Sequence, residues 1–225
     1  VAAYYSVWNG LRDTLEGYYK NRTRQHNPLS QQKEFRAIKN AIVQEAERLR
    51  QQMEQPRPGV ALLYGITGSG KTSVYIRLIQ HCLDAGKTAL LLVPEIALTP
   101  QLLGVMAAWF GSQVAILHSS LGMGERYDQW KRIKSGDARV IVGTRSAVFA
   151  PTENLGVIIL DEEQEHSYKS ENSPRYSAKE VAIWRGAKEG ALVLLGSATP
   201  SVESMYRAKT GAYSLYTMAE RYGGR

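Results

Sequence analysis

A single cysteine, Cys82, carries all the thiol chemistry in 225 residues. One thiol excludes an internal disulfide and any cysteine-built zinc site. Its place in a helical stretch marks it as an inert core thiol rather than a nucleophile. Histidine is scarce too, with four in all. His118 and His166 lack metal-ligand spacing with other His, Cys or acidic residues, and His81 reads as structural. No apolar run is long enough to span a bilayer, and no secretory leader is visible, so the expectation is a cytoplasmic chain with no membrane partner. Internal repeats and low-complexity tracts are also missing. The first residue is Val1 rather than Met, which suggests an excised fragment. What the chain does have is positive charge, a net +7, compatible with a polyanionic partner. Apolar residues make up 44%, ordinary for a globular chain of this size with a sizeable core.

The chain is organised around Gly65–Thr72, GITGSGKT, which fits G-x-x-x-x-G-K-[ST], the phosphate-binding loop. The run before it reads as a short buried strand and the run after it as a helix, which is the context the motif needs. Gly65, Gly68 and Gly70 let the backbone turn its N–H groups inward on an anion. The following helix adds its positive end at the same point. Gly65, Thr67, Gly68, Ser69 and Gly70 would line the phosphates, Lys71 would reach the β- and γ-phosphates, and the Thr72 hydroxyl would bind Mg²⁺. ATP with Mg²⁺ is therefore the expected ligand.

Residues 1–28 read as a linker or the tail of a preceding domain. Within them Tyr18, Tyr19, Lys20, Arg22 and Arg24 could touch nucleic acid, the plainer alternative being a solvated linker. A helix is expected from about Ser30, as N-cap, to Gln55, with Phe35, Ile38, Ile42 and Leu49 at helical spacing. From residue 29 onward the expected unit is one α/β domain. Strands are expected at Val60–Tyr64, Thr88–Val93, Val114–Leu117, Val140–Val142, Val157–Leu160 and Leu192–Leu195. Helices are expected near Ser73–Ala85, Leu98–Phe110, Gly124–Ser135, Ala178–Gly186 and Ser201–Lys209. Short, nearly all-apolar strands alternating with amphipathic helices predict a doubly wound, mainly parallel sheet with helices on both faces. Ligand sites in such folds collect at the C-terminal ends of the strands.

After Leu160 comes Asp161-Glu162-Glu163-Gln164. In a loop ATPase the first acid would hold Mg²⁺ and the second would orient or deprotonate the attacking water. Asp161 is assigned to metal and Glu162 to base, the alternative being an acidic turn on a solvated surface. After Leu195 comes Gly196-Ser197-Ala198-Thr199-Pro200, whose hydroxyls can hydrogen-bond Gln164 or Glu163, or simply cap a helix. Pro94, Glu95 and Gln101 follow one strand, and Thr144 and Arg145 follow another. These loops could hold nucleic-acid phosphates. The segment from Tyr168-Lys169 to Arg175-Tyr176 interleaves aromatic and basic residues, which suits single-stranded nucleic acid or an exposed loop docking its tyrosines.

The order of these strings is specific. GITGSGKT, LVPEIALTPQ, HSSLGMGERYDQW, IVGTRSAVFAP, IILDEEQEHSYK with PRYSAKEVA, and GSATPSVES resemble the first RecA-like lobe of a superfamily 2 helicase. Within that superfamily they resemble the primosomal protein N′ (PriA) replication-restart helicases, from about Leu29 onward. The resemblance implies 3′-to-5′ DNA unwinding driven by ATP, with single-stranded and forked DNA, primosome proteins and single-strand-binding protein as partners. It implies that Gly70, Lys71 and Thr72 bind phosphates and Mg²⁺, and that Asp161 and Glu162 are the metal and water-activating acids. It also implies that Gln164, Ser197 and Thr199 couple hydrolysis to movement, and that Tyr168–Tyr176 is an aromatic-rich loop linking single-strand binding to ATPase. The sequence departs from the family in carrying Gln164 where histidine is usual. Its Leu29–Ala37 segment matches the adenine-reading motif loosely, with Gln31 or Gln32 in register. The second lobe and a cysteine-rich insertion are not among these residues, and Met218–Arg225 would lead toward that lobe. Residues 1–225 alone are accordingly expected to bind nucleotide weakly and to lack DNA-stimulated turnover, since the arginine finger is missing. Two other readings are a double-strand DNA translocase of the repair or restriction type, and a nucleotide-gated module without catalysis.

Overall fold

In the structure, a computed structural model, the backbone is described for residues 28–218 and side chains for 36–218. The readings made for residues 1–27, for the side chains of Phe35, Gln31 and Gln32, and for 219–225 lie outside that description.

The first helix, α1, spans Pro28–Met53. It starts two residues before Ser30, so Ser30 is not its N-cap. Proline suits a first helical turn, where its missing N–H has no partner to lose. Ile42, Ala46, Leu49 and Met53 form its buried stripe. After β1 (Val60–Gly65) come α2 (Lys71–Asp84), β2 (Thr88–Leu92), α3 (Pro100–Phe110) and β3 (Val114–Leu117). Then follow α4 (Met123–Lys134), β4 (Val140–Gly143), β5 (Leu155–Asp161), α5 (Ala178–Glu189), β6 (Leu192–Ser197), α6 (Val202–Lys209) and β7 (Ser214–Met218). Six strands fall where the apolar runs predict them: β3 matches its run, β2 stops one residue short of it, and β1, β4, β5 and β6 run one to three residues longer. β7 is unexpected, because its alternation leaves only Tyr216 and Met218 buried and gives no apolar run.

The strands pair in the order β3-β4-β2-β5-β6-β1-β7. Every described pair is parallel. Strict alternation sends neighbouring residues to opposite faces. Ala61, Leu63, Ala89, Leu91, Val157 and Ile159 pack against α1, α2 and α3. Leu62, Leu90, Leu92, Ile158, Leu160 and Leu195 pack against α4, α5 and α6. Buried on both faces, such strands have no polar side, which is why their sequence reads as continuous apolar runs. The fold is thus a doubly wound α/β domain.

Candidate active site

The order β5-β6-β1 brings three strand ends together: Asp161, Ser197 and Gly65. Asp161 lies in register with Gly196, and Gly196 with Leu63. Motifs far apart in sequence therefore meet at one edge of the sheet, each about one strand spacing, ~4.8 Å, from the next.

The glycine loop leaves β1 and enters α2. Gly68 and Gly70 have φ of 82° and 95°, the left-handed region that only glycine adopts freely. At Gly70 a Cβ would also lie 2.6 Å from Ile42 Cδ1, so α1 closes on the loop. Lys71 is the first residue of α2, nearly buried, and its Nζ donates to the Gly65 carbonyl at 2.8 Å. That bond holds the ammonium inside the loop it is meant to serve. Ser69 Oγ is buried without a partner among the described residues. An orphaned hydroxyl, first-turn N–H groups unpaired within the helix and a captive ammonium fit a phosphate. Thr72 is exposed at the same helix start.

On β5, Asp161 is held twice. Tyr75 of α2 donates its hydroxyl to Oδ1 at 2.8 Å. The Tyr168 hydroxyl lies 2.7 Å from the Asp161 carbonyl and 3.0 Å from that of Leu92. Burial pushes the Asp161 carboxyl above its usual range, with the Glu162 charge adding to the rise. The Tyr75 bond and the Lys71 charge oppose that rise without cancelling it. Glu162 follows at φ 48°, a backbone position uncommon outside glycine. Gln164 donates to Glu162 Oε2 at 3.1 Å and accepts from Ser197 Oγ at 2.6 Å. The Thr199 N–H donates to Ser197 Oγ at 2.9 Å. The hydrogen bond foreseen between Gln164 and the strand-end hydroxyls is therefore present, and Thr199 joins it through its backbone.

Glu163 has a separate job. Its side chain is fully buried and accepts from Lys179 Nζ at 2.9 Å, Ser201 N at 2.7 Å and Ser204 Oγ at 2.9 Å. Burial alone would raise its pKa, but the Lys179 and Ser201 bonds outweigh it and hold the carboxyl below the usual range. The third acid thus bolts the β5 turn to α5 and α6 rather than facing the phosphate site.

Several residues assigned to nucleic acid sit differently. Tyr168 is 2% exposed and spends its hydroxyl on backbone carbonyls, so it offers no ring face to a base. Thr144, also 2% exposed, and Pro94 are buried. Arg145 turns inward, donating through Nη1 to the carbonyls of Ser167 at 3.2 Å and Lys169 at 2.6 Å. Its guanidinium lies 5.8 Å from the Tyr176 ring, which meets Phe149 edge-on at 4.9 Å. Glu95, Lys169 and Arg175 are exposed on the connections beyond the strand ends, Gln101 is exposed in the first turn of α3, and Tyr176 is half-buried. Tyr75 carried no sequence signal as a site residue, since it occupies an apolar position of an amphipathic helix. Cys82 is buried, and its thiol is pushed up to about 12 by burial.

Residues 57–208 match the DEAD/DEAH box helicase family model. The chain is 51% identical over 179 residues to the replication restart protein PriA of Bacillus subtilis, covering 80% of this chain and 22% of that one. It is 40% identical over 228 aligned residues to the PriA of Haemophilus influenzae, covering 97% of this chain and 31% of that one. The chain therefore spans less than a third of the length of these relatives. Among solved structures it superposes on RecG bound to a three-way DNA junction with a TM-score of 0.59 at 22% identity, over 95% of this chain and 26% of that one, a likeness of fold. It also superposes on a DEAD box protein from Methanococcus jannaschii with a TM-score of 0.51 at 26% identity, over 71% of this chain and 45% of that one. A glycine loop, an acidic strand end and a serine-threonine strand end gathered at one edge of a parallel sheet agree with the family match, and the chain belongs to the DEAD/DEAH box helicases.

Proposed function

We propose that this chain is the ATP-binding lobe of a DNA helicase that acts in replication restart and primosome assembly, residues 29–225 forming the lobe and 1–28 leading into it. The observation that carries the reading is the convergence of Lys71, Asp161 and the Glu162–Gln164–Ser197 chain at adjacent strand ends. The names and identities of the PriA relatives support the biological setting. Lys71, the loop amides and Ser69 would hold the β- and γ-phosphates. Thr72 and Asp161 would hold Mg²⁺, which when bound neutralises charge on the transferring phosphoryl group. Glu162 would take the proton of the attacking water, oriented by the Gln164 bond to its carboxylate. The Gln164–Ser197–Thr199 chain would report the state of Glu162 to the start of α6. Glu95, Gln101, Lys169, Arg175 and Tyr176 would meet single-stranded or forked DNA. Arg145 would hold the loop that presents the last three of those residues. Other primosome proteins and single-strand-binding protein are the expected partners, in the cytoplasm, on family resemblance.

Glu162→Gln in the intact protein tests the reading. It should bind a fluorescent ATP analogue as the wild type does and lose turnover by about two to four powers of ten, the usual worth of a general base. Turnover unchanged in Glu162→Gln would overturn the assignment of Glu162 as the base, whereas an intact wild type that binds ATP without hydrolysing it would leave a nucleotide-gated module without catalysis. Strand displacement on forked DNA separates a helicase from a double-strand translocase, which would hydrolyse ATP on duplex without releasing a strand.

A further inference from the structure

The proposed function gives no task to Tyr75, a tyrosine only 1% exposed in the core. It lies four residues after Lys71 on α2, so it shares the helix face that carries the loop lysine. A phenylalanine would fill the same core volume. A buried hydroxyl costs stability unless it is bonded, and its recorded bond is to Oδ1 of Asp161. Its surroundings are cut to fit. Gly196 opens the string GSATP at the end of β6 and pairs with Asp161 across the sheet. Its φ is not in the left-handed region, so backbone freedom does not explain the glycine there. Space does, because a Cβ at 196 would stand 1.8 Å from the Tyr75 hydroxyl oxygen and 2.9 Å from its Cζ. Any side chain at 196 would drive the hydroxyl off the carboxylate.

Asp161 is also gripped from both faces of the sheet. Tyr75 belongs to the core beneath α1–α3 and takes the carboxylate. Tyr168 belongs to the core beneath α4–α6 and takes the carbonyl. With its backbone and one carboxylate oxygen fixed, the aspartate has little freedom left to lose when a cation arrives.

We propose that Tyr75 is a positioning residue for the metal-holding acid: its hydroxyl presets the Asp161 carboxylate for Mg²⁺, and Gly196 is glycine to admit that hydroxyl. The inference rests on the assignment of the loop and Asp161 to MgATP. Ligands ordered beforehand bind more tightly because less ordering is left to be done on binding. Partners of metal ligands commonly change metal affinity by about 10- to 100-fold when removed.

The test is Tyr75→Phe in the full chain, read by binding of a fluorescent ATP analogue with MgCl₂ titrated in and, separately, in EDTA. The Mg²⁺ concentration for half-maximal binding should rise about tenfold, the low end of that range, because Tyr75 holds only one of the two carboxylate oxygens. Affinity in EDTA should stay at the wild-type value, since Lys71 and the loop amides are intact. Adding Tyr75→Phe to Asp161→Asn should change the Mg²⁺ dependence no further. A folded Tyr75→Phe chain with wild-type Mg²⁺ dependence overturns the proposal, as does an additive double variant. A Tyr75→Phe chain that fails to fold also overturns it, since the hydroxyl would then be holding the core rather than the acid. A wild-type chain that binds no nucleotide in either condition is the distinct result that defeats the proposed function itself.

Discussion

Replacing Lys179 by methionine strips the ammonium from a fully buried carboxylate. The Glu163 side chain has no exposed surface, and that of Lys179 is 18% exposed. Methionine keeps most of the stem's packing, so the loss is electrostatic. Removing one partner of a buried ion pair costs about 3–5 kcal/mol, because the remaining charge is left in a poor solvent. Here Ser201 N, Ser201 Oγ and Ser204 Oγ still donate to Glu163, which argues for the lower end, about 3 kcal/mol. For a domain of this size that is a drop in melting temperature of roughly 6–12 °C. The pH dependence carries the diagnosis. Because the folded state holds the Glu163 carboxyl below its reference value of 4.5, its contribution is present above that value. It is lost as pH falls through the lower, folded value. Melting curves followed by circular dichroism at pH 8, 6 and 4 should show the full gap between variant and wild type at the first two. At the third, which lies just below that reference value, the gap should have begun to narrow. A variant that melts within a degree of wild type at pH 8, or a gap of constant size down to pH 4, would refute the claim that a buried ionised Glu163 ties the acidic turn to α5 and α6.

Two more expectations follow from the titrating groups. Asp161 has its folded pKa raised, mainly by burial, so the stability it confers is complete below its unfolded pKa and is lost as pH rises through the folded one. Asp161→Asn keeps an acceptor for Tyr75 and should therefore melt higher than wild type at pH 8, with the gain shrinking toward pH 4. An equal or lower melting temperature at pH 8 counts against that reading. Cys82, with its thiol pushed up to about 12, should react with a disulfide reagent at pH 8 only as fast as the chain unfolds. A fast reaction under native conditions would show the thiol to be accessible.

The sheet was legible because a strand covered on both faces must be apolar throughout, and six such runs stand out in the sequence. β7 was not, since an edge strand with one buried face needs only Tyr216 and Met218 inside. The placement of the glycine loop and of Asp161-Glu162 at strand ends was legible because each directly follows an apolar run. Tyr75 was hidden because its partner lies 86 residues away, and nothing near it in sequence distinguishes its hydroxyl from a core phenylalanine. The burial of Tyr168 and the inward turn of Arg145 were hidden for the reverse reason. Aromatic and basic residues in a loop look like a nucleic-acid surface, and only the fold reveals that these turn toward backbone carbonyls. Composition likewise could not separate Glu163 from its two neighbours, though its lysine and serines are all visible further along.

The strand order also dictates when the site can exist during synthesis. β1 precedes the other described strands, yet it pairs with neither β2 nor any strand soon after it. Val60 waits for Val193, and Ala61 waits for Ser214. Contacts of such long sequence separation form late and slowly, because the intervening chain must be ordered first. The phosphate loop would therefore stay without its flanking walls while most of the lobe is still emerging. Nucleotide capture would then become possible only once β5 and β6 have docked beside β1, which makes ligand binding itself a report that these two strands have found their places.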